Sequence, residues 1–225
     1  MLEGDYINAS NRFNQFLKTY NYDFRYDEAK QMLNFCYSQI PYQEFDIGIS
    51  LFNKGKLRES LAWFNRAEQI ADEGLLLEIS SYKRDIAMDI INQTKKHLNE
   101  NSFSKSISNL NRARNIAPSL WTKTDEIEAT ILIRKGDIMT NLGSYFYAVD
   151  YYKESLELNP NNFDEINEKY TQLVILMIND MNQTKDFSEI NLVVDYLKEI
   201  ISLKPRHQEK LQNIIDQIDE RLQNY

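Results

Sequence analysis

Residues 134–160 read RKGDIMTNLGSYFYAVDYYKESLELNP, and the spacing of small, aromatic and proline residues within them decides the fold. The spaced positions are Gly136, Gly143, Ala148, Tyr152, Ser155 and Pro160. Residues three and four positions apart lie on one face of an α-helix, and glycine allows two helices to approach closely or a turn to adopt a left-handed backbone. Proline cannot continue a helix. The stretch therefore predicts two antiparallel helices that are joined at the second glycine and ended by the proline.

The same spacing recurs four more times along the chain. Two copies repeat its second half, as Ala29, Leu33, Cys36 and Pro41 and as Ser106, Leu110, Ala113 and Pro118. A third has Gly48, Gly55, Ser60, Phe64 and Ala67, with Asp72 in place of the proline. The least regular copy is Val193, Leu197, Ile200 and Pro205. All four prolines of the chain belong to this pattern, so each is expected to end the second helix of a pair.

This pattern resembles the tetratricopeptide repeat, which carries Leu-Gly, Ala, Phe and Pro at these positions. The resemblance covers residues 10–43, 41–74, 87–120, 129–162 and 174–207. It implies an all-α fold, a right-handed α-solenoid of about five helix pairs within a single domain that spans residues 1–225.

The intervals between copies differ from the regular period of the family. A regular array repeats every 34 residues, but most of the intervals here are longer than 40 residues. The additional residues, around 75–86, 121–128 and 163–173, have apolar side chains at steps of three and four, as in Leu75, Ile79 and Ile86. The first helices of the later pairs are therefore expected to be extended by several turns.

The tail of the chain, residues 208–225, is predicted to form one more helix. Its apolar stripe consists of Leu211, Ile215, Ile218 and Leu222. A capping helix that shields the last repeat explains this stripe. A seam for self-association explains it as well, and the sequence leaves both interpretations open.

Composition limits the class of partner. The net charge of −8 disfavours nucleic acid and anionic membrane surfaces. No signal peptide or membrane-spanning segment is apparent in the sequence, which predicts a cytoplasmic location by default. The alternative is a soluble domain that belongs to a larger envelope-associated protein.

No group of residues predicts catalysis. His97 and His207 have no ligand-spaced partners, and the single cysteine, Cys36, falls at a small-residue position where a buried, inert thiol is expected. Glycine-rich phosphate loops and nucleophile motifs do not occur. The sequence therefore predicts a protein that is not an enzyme and that binds no metal and no cofactor.

Arrays of the tetratricopeptide family bind partners along the concave wall formed by their first helices. The residues that match this wall are Tyr42, Phe45, Ile49, Phe52, Met88, Ile91, Asn92, Lys95 and Arg134. They predict an apolar, aromatic trough with a partly basic side, suited to an amphipathic helix or an extended peptide with some acidic groups. Packing between long helices would require some of the same residues, so Phe45, Phe52 and Ile91 fit a core role equally well.

One subtype of the family can be compared directly. The domains that clamp the acidic tails of heat-shock chaperones use Lys and Asn in one repeat, Asn in the next, and Lys and Arg in the third. Of the matching positions here only Asn92 and Arg134 agree. A chaperone-tail adaptor is therefore disfavoured. The resemblance implies a scaffold or assembly adaptor that binds another protein, and the alternative is a self-associating structural subunit of a homo-oligomer.

Overall fold

The computed structural model describes residues 4–184 and a few separate positions from Asp195 to Glu220. Its helices are α1 Tyr6–Thr19, α2 Tyr26–Asn53, α3 Leu57–Glu68, α4 Glu73–Asn99, α5 Phe103–Ile116, α6 Trp121–Asn141, α7 Tyr145–Leu158 and α8 Phe163–Thr184. Short 3₁₀ helices at Pro118–Leu120 and Pro160–Asn162 precede α6 and α8. Every regular element over these residues is helical, and neighbouring helices pack in pairs, which confirms an all-α fold of solenoid type. The right-handed superhelix stays a prediction.

The chain divides into two compact units, residues 1–121 and 122–225. The first unit contains α1 to α5, in which α2 packs against both α1 and α3, and α4 packs against α5. The second unit begins with α6, and its described part continues through α7 to α8. The expectation of a single continuous domain stays a prediction.

Three of the helix pairs share one turn. It joins α2 to α3, α4 to α5 and α6 to α7 over three residues. In each turn, the residue directly after the bend donates its N–H to the carbonyl oxygen five positions earlier in the chain. Ser102 donates to His97 at 2.9 Å, and Ser144 donates to Met139 at 2.8 Å. Gly55 and Gly143 each have φ of +72° at the bend, which confirms the role predicted for the second glycine.

The third turn has an asparagine at the bend. Asn101 has φ of +54°, and it stands at the position that Gly55 and Gly143 occupy in the other two turns. Asparagine visits the left-handed region more readily than other residues with a Cβ, but glycine has no steric cost there. We expect Asn101→Gly to be more stable than wild type and Asn101→Ala to be less stable. The unfolding free energy of the alanine variant should lie about 1 kcal/mol below that of wild type. Urea denaturation followed by circular dichroism measures this order.

The neighbouring Glu100 provides the control, because its φ is −88°. Glu100→Ala should change the unfolding free energy by less than about 0.5 kcal/mol. If Asn101→Ala behaved like Glu100→Ala, the left-handed bend would contribute nothing to stability.

The first glycine of each frame lies where two helices meet. A Cβ on Gly48 would come within 2.5 Å of Phe64, and a Cβ on Gly136 within 2.4 Å of Tyr152. Each aromatic ring therefore occupies the space that a side chain at the glycine would need, which confirms the close approach predicted from the sequence. In the third pair the corresponding residues are Thr94 and Leu110, and both are fully buried.

Pro41 lies inside α2, so the prediction that it ends a helix is wrong. Contacts on both sides of it stabilise the continuous helix at this position. The N–H of Ile7 in α1 donates to Gln43 Oε1 at 3.0 Å, and Arg66 in α3 forms an ion pair with Glu44 at 2.9 Å. Because α1 and α3 both pack on α2, tertiary packing compensates for the hydrogen bond that proline cannot donate.

The other proline positions behave in three ways. Pro118 and Pro160 follow residues in extended conformation and begin the two 3₁₀ helices, which confirms that they end the second helices α5 and α7. Asp72, which replaces proline in its copy, caps α4 by accepting a hydrogen bond from the N–H of Leu75 at 2.9 Å. Pro205 lies outside the described residues.

The extension of the first helices is confirmed by α4, α6 and α8, which have 27, 21 and 22 residues. The early part of α4 packs on the preceding pair, since Tyr82 contacts Phe45 and Phe64 with ring centroids 5.6 and 5.4 Å apart. Most of the copy at 174–207 lies outside the described residues. The same holds for Leu211, Ile218 and Leu222 of the predicted capping helix, whereas Ile215 is described and buried.

Candidate protein-binding surface

The residue three positions before the first glycine, or before its threonine counterpart, is buried in three copies. Phe45, Ile91 and Ile133 are at most 5% exposed. Phe45 also contacts Phe64, with ring centroids 5.7 Å apart. These side chains are enclosed by helix packing, so the structure favours the core role over the binding role for Phe45 and Ile91. Phe52 is half-buried, and its ring lies edge-on to Tyr82 at 5.3 Å.

Tyr42 is exposed, with 41% of its surface accessible, and it lies among acidic groups. Its hydroxyl donates a hydrogen bond to Asp72 across the α3–α4 connection. This bond raises the pKa of Tyr42, and the negative charges of Asp72 and Glu78 add to the effect. The same bond, with the N–H of Leu75, lowers the pKa of Asp72, so this carboxylate remains charged at neutral pH.

The later part of α4 carries the other predicted residues of the first unit. Asn92 and Lys95 are exposed there and Met88 is half-buried. Tyr42 lies level with Asp72, and at 1.5 Å per residue Asn92 is about 30 Å further along α4. The structure therefore does not bring Tyr42 and Asn92 into one continuous trough.

The two remaining residues of the predicted set have separate positions. Ile49 is half-buried, two turns along α2 from Tyr42. Arg134 is half-buried in α6 and belongs to the second unit. The surface around Tyr42 is thus built from α2, the α3–α4 connection and the start of α4.

The acidic residues of this surface were not predicted from the repeat pattern. Asp72 was assigned to the proline position, and Glu78 falls in the additional residues between copies. The 34-residue period of the family could have indicated which part of α4 packs on the preceding pair. Tyr82, which packs against α2 and α3, follows Gly48 by 34 residues. The start of α4, rather than its later part, therefore stacks on the second pair at the regular interval.

A hydrogen-bonded network joins α6, α7 and α8, the helices of the second unit whose bounds the structure gives. Asp137 in α6 accepts from the Tyr152 hydroxyl at 2.8 Å and from Lys169 Nζ at 2.8 Å. Burial is the main cause that raises the pKa of Tyr152, and the carboxylate beside it adds to the shift. A tyrosine with a raised pKa stays a neutral donor at neutral pH, so this network holds helices together rather than supplying a base.

A second tyrosine of this unit has a similar role. The Tyr145 hydroxyl in α7 donates to Asp180 in α8. Burial, followed by this bond, raises the pKa of Tyr145 to about 12. The link therefore persists across the neutral range and ties α7 to α8.

Cys36 is buried on α2, and burial raises the pKa of its thiol. A protonated thiol is a poor nucleophile, in agreement with the inert role expected for it. Over the part of the chain that the structure describes, His, Cys, Asp and Glu side chains form no cluster that could hold a metal ion. The helices described there also include none with the length and apolar character to cross a membrane.

The geometry of α6 and α7 is that of a helix pair with a glycine facing an aromatic ring, a left-handed turn and a closing proline. Residues 129–162 match the tetratricopeptide repeat family. This segment coincides with the fourth predicted copy, and it contains Gly136, Gly143 and Tyr152 at the tetratricopeptide positions. The search of curated proteins gave no match. The all-helical structure agrees with the resemblance to the tetratricopeptide repeat.

Proposed function

We propose that this chain is a non-catalytic protein-binding module that acts as a scaffold or assembly adaptor. The tetratricopeptide repeat is a protein-interaction module in general, and this supports binding of another protein as the function. The observation that carries the proposal is the exposed Tyr42 ring beside the carboxylates of Asp72 and Glu78. Exposed tyrosine provides both apolar area and a polar group, and it is enriched at the centres of protein interfaces.

The charges around Tyr42 define the chemistry of the partner. Asp46 is exposed on α2, one turn after Tyr42. It adds a third carboxylate to those of Asp72 and Glu78. A negatively charged surface attracts and orients positively charged partners. The partner segment is therefore a helix or an extended peptide with an apolar anchor and basic side chains. This differs from the peptide with some acidic groups that the sequence led us to expect, since the basic character of that expected surface came from Lys95, in the later part of α4, and from Arg134, in the second unit.

Replacing Tyr42 with alanine should weaken partner capture at least about tenfold, because truncation of an interface tyrosine removes its apolar contact and its hydrogen-bonding group. Helicity should stay close to wild type and the melting temperature should fall only slightly, since the ring is exposed and the variant loses a single exposed hydrogen bond, the one to Asp72. The measurement is affinity capture from the source cells with cross-linking and quantitative mass spectrometry.

The matched control is Tyr147→Ala, which removes a 64% exposed tyrosine from α7 in the second unit. Capture of the same proteins should survive this change. Equal losses in the two variants, or no loss in either, would contradict a binding role for the surface around Tyr42. Phe45 is not a suitable probe, because its truncation would act through the packing with Phe64 and Tyr82.

A further inference from the structure

The first helix pair departs from the others at one surface position. Six residues after the small residue in the first turns of the second helix, the other described pairs have Arg66, Arg112 and Glu154, all exposed and charged. The first pair has Phe35 there, and its ring is 52% exposed. The ring packs edge-on against Tyr6 of α1, with centroids 5.9 Å apart, and its remaining exposed half lies at a position that three related helix pairs fill with charge, which makes it a candidate contact for another molecule.

Phe35 belongs to a stripe along α2. The stripe starts at the N-cap residue of α2 and consists of Arg25, Glu28, Met32, Phe35, Gln39, Tyr42 and Asp46, at alternating steps of three and four residues. A seven-residue period of this kind is the pattern by which two helices pack along each other. Because α2 continues through Pro41, helical backbone carries the stripe without interruption from Glu28 to Asp46. The neighbouring face of α2, with Leu33 and Cys36, is the one that is buried.

We infer that the stripe binds a second copy of this chain, with the two α2 helices antiparallel around a twofold axis at Phe35. In this register Phe35 meets Phe35 of the other copy, and Met32 lies opposite Gln39. Arg25 then lies opposite Asp46 at both ends, so that the two ends of the stripe are charge-complementary to each other. The inference rests on the proposed protein-binding function and names the partner.

The charged residues at the two ends of the stripe have neighbours that suit this pairing. Arg25 forms an ion pair with Asp23 at 3.0 Å, and its guanidinium lies 5.2 Å from the ring centre of Phe24. These contacts fix the position of its charge. Asp46 is exposed in a neighbourhood where Asp72 and Glu78 add negative charge. The positive group that the Tyr42 surface is suited to bind is thus supplied by Arg25 of the other copy.

A pocket beside the stripe provides room for the partner. It has a volume of about 530 Å³, and Phe13 and Phe16 of α1 line it together with Glu28 and Met32 of α2. The antiparallel register places Tyr42 of the other copy opposite Glu28, at the edge of this pocket. An aromatic side chain from the second copy would therefore meet an apolar cavity rather than a closed surface.

Sedimentation velocity of the purified full-length chain tests the inference. Wild type should show a concentration-dependent dimer, and Phe35→Glu should raise the dissociation constant at least about thirtyfold, since it places two carboxylates on the twofold axis. Asn34→Glu is the matched control, because Asn34 is the exposed neighbour of Phe35 on α2 but lies outside the stripe. This control should dimerise like wild type. Circular dichroism verifies that both variants are folded.

A charge exchange tests the register. Arg25→Glu and Asp46→Lys should each weaken the dimer about tenfold, because each places like charges opposite one another at both ends. The double variant restores opposite charges and should recover most of the lost affinity. Recovery identifies the antiparallel pairing, whereas additive losses in the double variant would overturn it.

Other outcomes separate this inference from the proposed function. A wild-type chain that is monomeric at about 100 μM, or a Phe35→Glu variant that dimerises like wild type, overturns the inference. If partner capture still depends on Tyr42 in that case, the proposed function stands and only the second copy is excluded. A dimer that is abolished by Leu222→Asp but unaffected by Phe35→Glu would place the seam in the tail instead.

Discussion

Replacing Gly48 with threonine is expected to lower the unfolding free energy of the first unit by about 3 kcal/mol. The new Cβ would lie 2.5 and 2.6 Å from two carbon atoms of the Phe64 ring, well inside the ~3.5 Å at which carbon atoms attract. The ring cannot move away easily, because it is fully buried and contacts Phe45 and Tyr82. Either α2 and α3 must separate or the ring must leave its preferred rotamer.

The third helix pair shows how this cost can be offset. Thr94 and Leu110 occupy the positions of Gly48 and Phe64, so a larger first residue accompanies a smaller second one. Phe64→Leu alone should cost about 1.5 kcal/mol through lost packing. The double variant Gly48→Thr with Phe64→Leu should be more stable than the sum of the two losses predicts, by about 1.5 kcal/mol or more.

Urea denaturation of the four proteins gives this coupling energy directly. These four proteins form a double-mutant cycle. Its coupling energy reports the steric conflict with the ring and not the helix propensity of threonine, since that propensity is the same whether or not the ring is present. Strictly additive losses would mean that the glycine is retained for a reason other than its contact with Phe64.

Replacing Asp137 with alanine is expected to destabilise the second unit by about 2–3 kcal/mol. The carboxylate accepts hydrogen bonds from Tyr152 and Lys169, on two different helices. Its removal leaves the buried Tyr152 hydroxyl with Thr140 Oγ1 at 3.3 Å and leaves the partly buried ammonium of Lys169 without this carboxylate. An unpaired buried polar group costs more than the original bond contributed.

The control for this variant is Asp150→Ala, because Asp150 is exposed on α7. Thermal unfolding followed by circular dichroism should show a change of less than about 0.5 kcal/mol for the control. Asp137→Ala combined with Tyr152→Phe should lose less than the two single changes together, since the hydroxyl that needs a partner is then absent. If Asp137→Ala lowered the unfolding free energy no more than Asp150→Ala does, the network would not be a structural link.

Much of the helix-pair geometry follows from the sequence alone. Gly55 and Gly143 mark turns because a left-handed bend is a local requirement, and Gly48 and Gly136 mark close contacts because only glycine leaves room for a ring at that distance. Asn101 was not identified as the third bend. Asparagine occurs in many other settings, so its presence alone gives a weaker signal than glycine.

The candidate site was predictable in part. Tyr42, Asn92 and Lys95 are exposed, as a binding role requires, and that role stays a prediction. Phe45 and Ile91 were given both a binding role and a core role by sequence analysis, and the structure favours the core. Their spacing is the same as that of groove residues, because the helical period places both kinds of residue on one side of the helix. Which part of that side is covered depends on the neighbouring helix.

The sequence determined the helices, their turns and the glycine-to-ring contacts, because each depends on residues within one helix pair. Tertiary structure alone decided that α2 runs through Pro41, that the start of α4 stacks on the second pair, and that Tyr42 lies among carboxylates. These features depend on contacts between pairs, such as Ile7 with Gln43 and Tyr42 with Asp72. Local sequence rules describe the cost of a proline in a helix, but they do not contain the packing energy that offsets it.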